Sequence, residues 1–264
     1  MAITDPLDPD KIKANLGTKR IGKNVLVYKS TSSTNDIAAE YAKNKENDGL
    51  VIFAEEQTAG RGRGGAGWHS GPGESILCSI ALTDCKCSAE LLSLACAVAV
   101  AEAIGKCGDS EAKLKWPNDI ILNGKKVAGI LLESKISAGA AAQILGIGIN
   151  CHQKNESFSA ELQSTATSID IESRSKCDRI SLVKRLLTLL DHWLDVAEQD
   201  SQKVTDRWRE LSTQLGQRVA VLYNGTKFNG HCTGIDPEKG LILHLDTGGV
   251  RFFDAAHTTI AKDL

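Results

Sequence analysis

Short apolar runs separated by polar and glycine-rich turns dominate the chain up to residue 149. The runs lie at residues 24–29, 50–54, 75–82, 112–116, 119–122, 127–133 and 141–149. Runs of this length between turn residues predict buried strands. Turns at residues 123–124 and 137–139 separate the last three runs, which predicts antiparallel hairpins rather than helical crossovers.

Helical spacing of apolar residues appears between and after these runs. A helix is predicted to begin where a polar cluster ends, with Thr34 or Asn35 as its N-cap. Ser88 is predicted to cap a nearly all-apolar helix over residues 89–106, a composition suited to lying against a sheet. Ser181 is predicted to cap a strongly amphipathic helix.

The pattern changes near the end of the chain. After a short helix at residues 204–211, tight turns separate apolar runs at 218–223, 227–235, 241–245 and 250–254. This spacing predicts a small β-barrel or sandwich, with domains at 1–214 and 215–264. The polar segments 1–23 and 153–179 predict a loose lead-in with at most one short helix, and a loop region.

Composition narrows the class of protein. The chain of 264 residues is 42% hydrophobic and 24% charged, with a net charge of −2, which is ordinary for a globular protein. A slightly acidic chain does not suit coating nucleic acid, so we expect no nucleic-acid partner. The longest apolar stretch, 91–101, is shorter than the ~20 residues of a membrane span. With no signal peptide visible at the start, we expect a cytoplasmic protein.

The eight cysteines are spaced without a CxxC pair and without paired histidines. We therefore expect no zinc site. Several, such as Cys78 and Cys96, lie in apolar runs. Buried free thiols in a reducing compartment are the expectation for these residues.

Residues 60–68 form a glycine-rich segment between two predicted strands. Five of the eight residues from 60 to 67 are glycine, Arg61 and Arg63 add charge, and Trp68 ends the segment. Such backbone can approach phosphate oxygens closely. A Gly/Arg run alone is equally typical of a linker or a nucleic-acid contact. Its place between two strands and before Trp68 favours a ligand-binding loop.

A second motif puts a cation, an amide and a carboxylate within five residues, from Lys115 to Asp119. The proline in it aims Asn118 and Asp119 away from the sheet, and an aspartate can hold Mg²⁺ through oxygen. An ordinary polar turn is the alternative. Lys126 follows the next turn, and we expect the hairpin to bring Lys115 and Lys126 together on adjacent strands. Lys125 should point to the opposite face.

Glycines also interrupt the last predicted strands of this part, at Gly129, Gly146 and Gly148. Glycine weakens a strand, so these positions mark either close approach of a ligand or chain, or a bulge. Asn150 ends the same strand, where it would bind a ligand or cap a turn.

Together and in this order, the motifs resemble those of biotin–protein ligases. The match covers Ser33 to Asn35 and residues 57–68, 115–119, 126–131 and 146–150, and it extends weakly to the end of the chain. The resemblance implies an α+β fold. Its parts are a class II aminoacyl-tRNA synthetase-like mixed sheet backed by helices and a small C-terminal SH3-like β-barrel.

The resemblance also implies a set of site residues. The biotin pocket would comprise Ser33, Thr34, Asn35, Gln57, Gly60, Arg61, Gly62, Arg63, Lys126, Gly129 and Gly146. ATP would be bound by Arg63, Trp68, Lys115, Asn118, Asp119, Lys126 and Asn150. Lys126, Arg63 and Lys115 would be the catalytic residues, and Asp119 would hold the metal.

The implied activity is that of an ATP-dependent ligase. Biotin would be activated with MgATP to biotinyl-5′-AMP and passed to a lysine of a biotin carboxyl carrier protein or domain. The implied ligands are therefore ATP, Mg²⁺ and the substrate biotin. A homodimer through an exposed sheet edge of the catalytic domain, as in some relatives, is left open.

Two departures from the family pattern change these expectations. Gly64 and Ala66 stand where many bacterial members have further arginines, so we expect weaker retention of the adenylate. Because the segment before the first strand is short, we expect no winged helix of the kind with which some members repress transcription. Two alternatives remain: a lipoate–protein ligase, whose Arg-Arg-x-x-Gly-Gly-Gly stretch is not matched, and a biotin sensor or DNA-binding regulator without turnover, which the acidic balance disfavours.

Overall fold

Seven strands among the described residues form one mixed sheet. A computed structural model describes residues 3, 5–105, 111–137, 140–173 and 175–261, without the side chains of 137 and 140. The strands are β1 (Val25–Tyr28), β2 (Val51–Ala54), β3 (Ser75–Leu82), β4 (Lys113–Lys115), β5 (Asp119–Leu122), β6 (Lys125–Ser137) and β7 (Ala140–Asn150). Their order is β1-β2-β3-β7-β6-β5-β4, with β1 parallel to β2 and all other neighbours antiparallel.

The strand predictions are confirmed, and so is one of the two turns. Asn123 and Gly124 both have positive φ, at 48° and 82°, as a tight two-residue hairpin requires. The turn predicted at residues 137–139 lies partly outside the described residues.

Helices cover both faces of this sheet. They are α1 (Pro9–Lys13), α2 (Thr34–Tyr41), α3 (Ala89–Ile104), α4 (Ile169–Glu172), α5 (Arg179–Gln199) and α6 (Ser201–Leu211). The main core lies between the sheet and α3 with α5, and it takes alternate residues of β3, such as Cys78 and Ile80. A smaller core under α2 takes Ala81 and residues of β2 and β7. The period of two along each strand thus gives the sheet two different faces. We call the face packed against α3 and α5 the helix-packed face, and the opposite face, which packs against α2, the α2 face.

Two helix starts differ from the sequence prediction. Ser33, rather than Thr34 or Asn35, is the N-cap of α2. Asp178, rather than Ser181, caps α5, and its carboxylate accepts a hydrogen bond from the Ser181 N–H at 3.1 Å. Neighbouring polar residues compete for the cap position, so the spacing alone could not choose between them. Ser88 caps α3 as predicted, with its Oγ accepting from the Leu91 N–H.

The segment before β1 is not the loose lead-in that its polarity predicts. Besides α1, it buries Leu7, Ile12, Leu16 and Ile21 in the main core. These apolar residues are too widely spaced to mark a strand or a long helix. The segment predicted as a loop at 153–179 likewise contains α4.

A second sheet follows, with five strands among the described residues near the C-terminus. They are β8 (Arg218–Tyr223), β9 (Thr226–Asp236), β10 (Gly240–Leu245), β11 (Val250–Phe253) and β12 (Thr258–Ile260), in the order β11-β10-β9-β8-β12 with antiparallel pairing. Sequence reasoning missed β12, which has no apolar run. The predicted mixed sheet backed by helices, followed by a small β unit, is confirmed. The boundary after residue 214 stays a prediction.

Candidate active site

A network of polar side chains lies on the α2 face of the first sheet. We call it the polar pocket, and its members are Thr34, Asn35, Gln57, Ser79 and Glu133. The Thr34 N–H and hydroxyl donate to Gln57 Oε1 at 2.7 and 2.9 Å, and the Ser79 hydroxyl donates to Asn35 Oδ1 at 2.5 Å. The Asn35 amide donates to Glu133 at 2.8 Å. Polar groups buried together in this way are fixed in orientation.

Several expected biotin residues surround this pocket. Gln57 reaches Thr34 because the β1–β2 pairing continues past the strands as a bridge between Thr31 and Gln57. Ser33 is buried, and its side chain makes no capping hydrogen bond to α2. At Gly146 a Cβ would lie only 2.4 Å from Asn35 Oδ1, so glycine is needed for the close approach of that side chain.

Trp68 lies beside the pocket, flat against two glycines. A Cβ on Gly148 would meet the indole at 2.5 Å, and one on Gly129 would meet it at 3.1 Å. The Trp68 Nε1 is buried and has no hydrogen-bond partner among the described residues. The two glycines therefore allow the ring to lie against the strands. Of the two explanations for glycine at these positions, close approach of another part of the chain is the one that holds.

A bulge decides where Lys126 points. Ile120 pairs with Ala128, but Ile121 pairs with Lys126, so Val127 is an extra residue in β6. Ala128 belongs to the helix-packed core. In a regular strand residues two apart share a face, so Lys126 would point into that core together with Ala128. The bulge turns it to the α2 face instead.

On that face Lys126 pairs with Asp119. Its Nζ lies 2.6 Å from Asp119 Oδ1 and 5.8 Å from the centre of the Trp68 ring, and its stem passes over Gly129. We call the group of Trp68, Lys126, Asp119, Gly129 and Gly148 the Trp68 platform. It offers a cation, a carboxylate and a flat aromatic surface next to the polar pocket, an arrangement suited to an anionic, aromatic ligand.

Contrary to the prediction, Lys115 and Lys126 do not lie on adjacent strands. Lys115 lies on β4 opposite Asp119, and β5 separates it from the strand that carries Lys126. The hairpin across the Asn123–Gly124 turn joins β5 to β6, so the expectation of adjacent strands was wrong. Lys115 is exposed at the edge of the sheet.

The glycine-rich segment folds back on itself. The Trp68 N–H donates to the Gly60 carbonyl at 2.9 Å, and the Gly62 N–H donates to the Ala66 carbonyl at 2.6 Å. At Gly60 a Cβ would lie 2.6 Å from the Trp68 carbonyl, so a side chain there would displace the loop. Gly64, at φ 62°, forms the tip. The loop thus starts and ends at the site.

The two arginines of this loop point to different partners. Arg61 forms a bidentate pair with Asp36 at 2.6 and 3.0 Å and lies 3.5 Å from Glu133, beside the polar pocket. The hydrogen bond from Arg61 holds the pKa of Asp36 below its ordinary value. Arg63 instead donates to the carbonyls of Ala255 and Thr258 in the second sheet region. Burial lowers the pKa of Arg63.

Two expected amides are held by the protein itself. The Asn118 Nδ2 donates to the Ile130 carbonyl at 3.0 Å, and its Oδ1 lies 3.4 Å from Arg63, which links the loop to the start of β5. Asn150 is buried, donates to the Thr167 carbonyl at 2.9 Å and accepts from Gln153 at 3.2 Å. Asn150 therefore fastens the segment after β7 onto the sheet.

Sequence reasoning missed five residues of this site. The side chains of Asp36, Ser79 and Glu133 complete the contacts above. Ala255 and Thr258 contribute backbone carbonyls. Ser79 is polar within a strand whose residues are all buried, and that contrast could have revealed it. The two carbonyls leave no trace in a side-chain pattern.

Comparison with known proteins now places the chain. A model of the biotin/lipoate A/B protein ligase family matches residues 27–150. A bifunctional ligase/repressor BirA from Bacillus spizizenii is 34% identical over 254 residues, covering 94% of this chain and 78% of that protein. The chain belongs to this ligase family.

Further relatives extend the match. A biotin–[acetyl-CoA-carboxylase] ligase of Mycobacterium tuberculosis is 32% identical over 253 residues, which cover 92% of this chain and 91% of that enzyme. Among solved structures, the biotin protein ligase from Aquifex aeolicus in complex with biotin and ATP aligns with a TM-score of 0.77 and 25% identity. That alignment covers 91% of this chain and 100% of the other.

Within the described part of the chain, no helix is both long and apolar enough to cross a membrane.

Proposed function

We propose that the chain activates biotin with ATP to biotinyl-5′-AMP and transfers the biotinyl group to a lysine of a biotin carboxyl carrier domain. The observation that carries the proposal is that the polar pocket and the Trp68 platform adjoin on one face of one sheet. Family membership agrees with this ligase chemistry.

The polar pocket suits the ureido ring of biotin. That ring has one carbonyl oxygen and two N–H groups, and each needs a partner once buried. The Gln57 oxygen is taken by Thr34, which leaves its amide hydrogens to donate. Ser33 adds a hydroxyl that does not cap α2, and Glu133 adds a carboxylate acceptor. The predicted biotin residues, together with Glu133, therefore supply both donors and acceptors.

The Trp68 platform suits the reacting end and the nucleotide. In the first step a biotin carboxylate oxygen attacks the α-phosphorus of ATP, the bond to the β-phosphate oxygen breaks, and pyrophosphate leaves. Lys126 would hold the carboxylate and the α-phosphate together and offset their negative charges. Trp68 would pack against the adenine, and Arg63 and Lys115 would contact phosphates. The largest gain comes from alignment and charge stabilisation, because no covalent bond to the enzyme is needed.

The second step uses the acceptor's own nucleophile. The lysine amine attacks the carbonyl carbon of the mixed anhydride, the bond to the phosphate oxygen breaks, and AMP leaves as the amine loses a proton. Water must be kept away from the anhydride until the lysine arrives. The loop at residues 60–68 starts and ends at the site and is proposed to cover it.

The platform also fits a magnesium ion carried by ATP. Mg²⁺ typically takes one or two protein carboxylates together with phosphate oxygens. Asp119 is the carboxylate beside Lys126, its side chain is 28% exposed, and its ion pair is made through Oδ1. Asp119 would therefore hold the ion, which when bound would neutralise charge on the phosphates.

Two further parts of the proposal concern organisation. The boundary is placed between residues 214 and 215, in the segment that joins α6 to β8. The cytoplasm is proposed as the compartment, since cysteines such as Cys78, Cys96 and Cys151 are buried free thiols.

A pyrophosphate-exchange assay tests the proposal. We expect exchange of labelled pyrophosphate into ATP that depends on biotin, and biotinylation of a carboxyl carrier domain. Exchange that depends on lipoate and not on biotin would instead assign the chain to the lipoate branch of the family. Biotin binding without exchange would leave a sensor and would overturn the ligase assignment.

A further inference from the structure

Two cysteines and a glutamate meet away from the active site. Cys85 and Cys87 lie in the loop between β3 and α3, and Glu198 lies at the end of α5. The two sulfurs and a carboxylate oxygen of Glu198 all lie within 4.8 Å of one another. Two sulfurs on one tetrahedral metal ion are about 3.8 Å apart, so little movement would close the set around an ion.

The local chain conformation presents both thiols on one side. Cys85 and Cys87 are half-buried, whereas Lys86 between them is exposed. Exposure thus alternates along the loop, and the two cysteines occupy the shielded positions.

The other described cysteines have no such arrangement. They are buried among apolar residues: Cys78, Cys96, Cys151, Cys177 and Cys232. Burial raises the pKa of Cys78 and of Cys96, which keeps these thiols protonated. The expectation of buried free thiols is thus confirmed for Cys78, Cys96, Cys151 and Cys232, and Cys85 and Cys87 are a separate case.

Arg20 already contacts Glu198. The other hydrogen bonds of Arg20 decide whether the Glu198 carboxylate can turn away from it. Arg20 donates to Glu198 at 3.1 Å, but it also donates to Asp48 at 2.6 and 3.0 Å and to the Asp84 carbonyl at 2.6 Å. Arg20 would therefore remain paired if Glu198 turned to a metal ion.

We propose that Cys85, Cys87 and Glu198 form a zinc site. Thiolate sulfurs select Zn²⁺ over hard ions such as Mg²⁺, so this site is distinct in chemistry from the Asp119 position. Three protein ligands leave a fourth position for water. On binding, each thiol releases its proton to solvent and coordinates as thiolate. The ion would join the β3–α3 loop to the end of α5.

This site escaped the sequence rule because the rule looks for a CxxC pair. Here the two cysteines are separated by one residue, and the third ligand lies far along the chain. Only the packing of α5 against the loop after β3 brings Glu198 to the cysteines. The proposal does not depend on the ligase function.

Cobalt and zinc binding test the proposal on the full chain. Every protein carries Cys107→Ser, because Cys107 lies outside the described residues, and is kept reduced and stripped of metal. Titration with Co²⁺ should produce a thiolate-to-cobalt charge-transfer band that saturates at one equivalent, and Zn²⁺ should displace it. The double variant C85S/C87S should lose the band, and Glu198→Gln should weaken binding at least ~10-fold.

Asp195→Asn is the matched control. It removes the same charge from an exposed position one turn earlier on α5 and should bind the metal like the parent. Zn²⁺ should also raise the melting temperature of the parent and not that of C85S/C87S. Cobalt binding without a charge-transfer band, equal binding by C85S/C87S, or equal weakening by the two α5 variants would each overturn the site.

Discussion

The polar pocket and the Trp68 platform lie side by side on one sheet but are held in different ways. Every member of the pocket hydrogen-bonds to another member, and all come from α2, the sheet or the turn just after β2. The platform rests on one ion pair, on glycines under an indole, and on a loop whose Arg63 is tied to the C-terminal region.

This difference teaches which half of the site is preformed. Hydrogen bonds among buried groups fix the pocket before any ligand arrives. The platform is assembled from three distant segments and includes a loop with five glycines, whose ordering costs backbone entropy. We therefore expect changes in the pocket to act on biotin binding, and changes around the platform to act on catalysis and on retention of the adenylate.

The largest effect is expected from Lys126→Ala. Removing the charge that bridges the two anionic reactants should lower the rate of adenylate formation by roughly 10²-fold or more, with folding unchanged. Pyrophosphate exchange measures this rate. Lys125→Ala is the control, since strand alternation directs its side chain elsewhere. A Lys126→Ala enzyme with near wild-type exchange would remove the platform from the mechanism.

Two glycine substitutions on β7 separate the halves of the site. The Cβ of Gly148→Ala would meet Trp68 at 2.5 Å, and the Cβ of Gly146→Ala would meet Asn35 at 2.4 Å. Each clash should cost about 1–3 kcal/mol. We expect Gly148→Ala to raise KM for ATP about 10-fold or more and Gly146→Ala to raise KM for biotin similarly.

Steady-state kinetics with each substrate varied in turn measure both constants. Gly234→Ala is the control, because its Cβ would meet only Ile242 at 3.8 Å. If both variants raised the same KM, the division of the face into two halves would be wrong.

A smaller effect is expected from Arg63→Ala. Charge-assisted hydrogen bonds to a ligand phosphate would be lost, so the adenylate should leave several-fold faster. Amide exchange across residues 60–68 should fall on adding biotin and ATP to the wild type and fall less in the variant. Arg61→Ala should act on biotin binding rather than on phosphate contacts, because Arg61 pairs with Asp36 beside the polar pocket. Unchanged dissociation in Arg63→Ala would argue against a lid.

The smallest effect is expected from a change at Glu90. This residue binds Ala255, whose carbonyl accepts a hydrogen bond from Arg63. Glu90 Oε1 accepts from the Ala255 N–H at 2.5 Å, and Oε2 is buried with no partner among the described residues. Burial raises the pKa of Glu90 above its ordinary 4.5. The folded state thus binds the proton more tightly, so this group's contribution to stability is full below the ordinary pKa and is lost as pH rises through the raised one.

Glu90→Gln should therefore flatten the fall in stability above about pH 4.5 and raise the free energy of unfolding at neutral pH by less than about 1 kcal/mol. Denaturant unfolding at several pH values measures both. Parallel curves for the two proteins would contradict the assignment.

Patterns along the chain determined the kind and order of most elements. The apolar run Ser75–Leu82 is β3, Ser88 caps α3, and the Asn123–Gly124 turn closes a hairpin, because each depends on interactions between near neighbours. The same patterns, with the family resemblance, also brought together the residues of the site. Widely spaced apolar residues before β1 carried no such local pattern, and their burial was missed.

Tertiary structure decided how those residues face one another. The extra residue Val127 turns Lys126 to the site face, and β5 comes between Lys126 and Lys115. Arg63 finds its carbonyl partners at Ala255 and Thr258, far along the chain. The physical reason is that these contacts depend on partners distant in sequence: the adjacent strand of the sheet for Lys126, and backbone of the C-terminal region for Arg63. A side-chain period of two reverses with a single inserted residue, and only the paired strand shows where that residue lies.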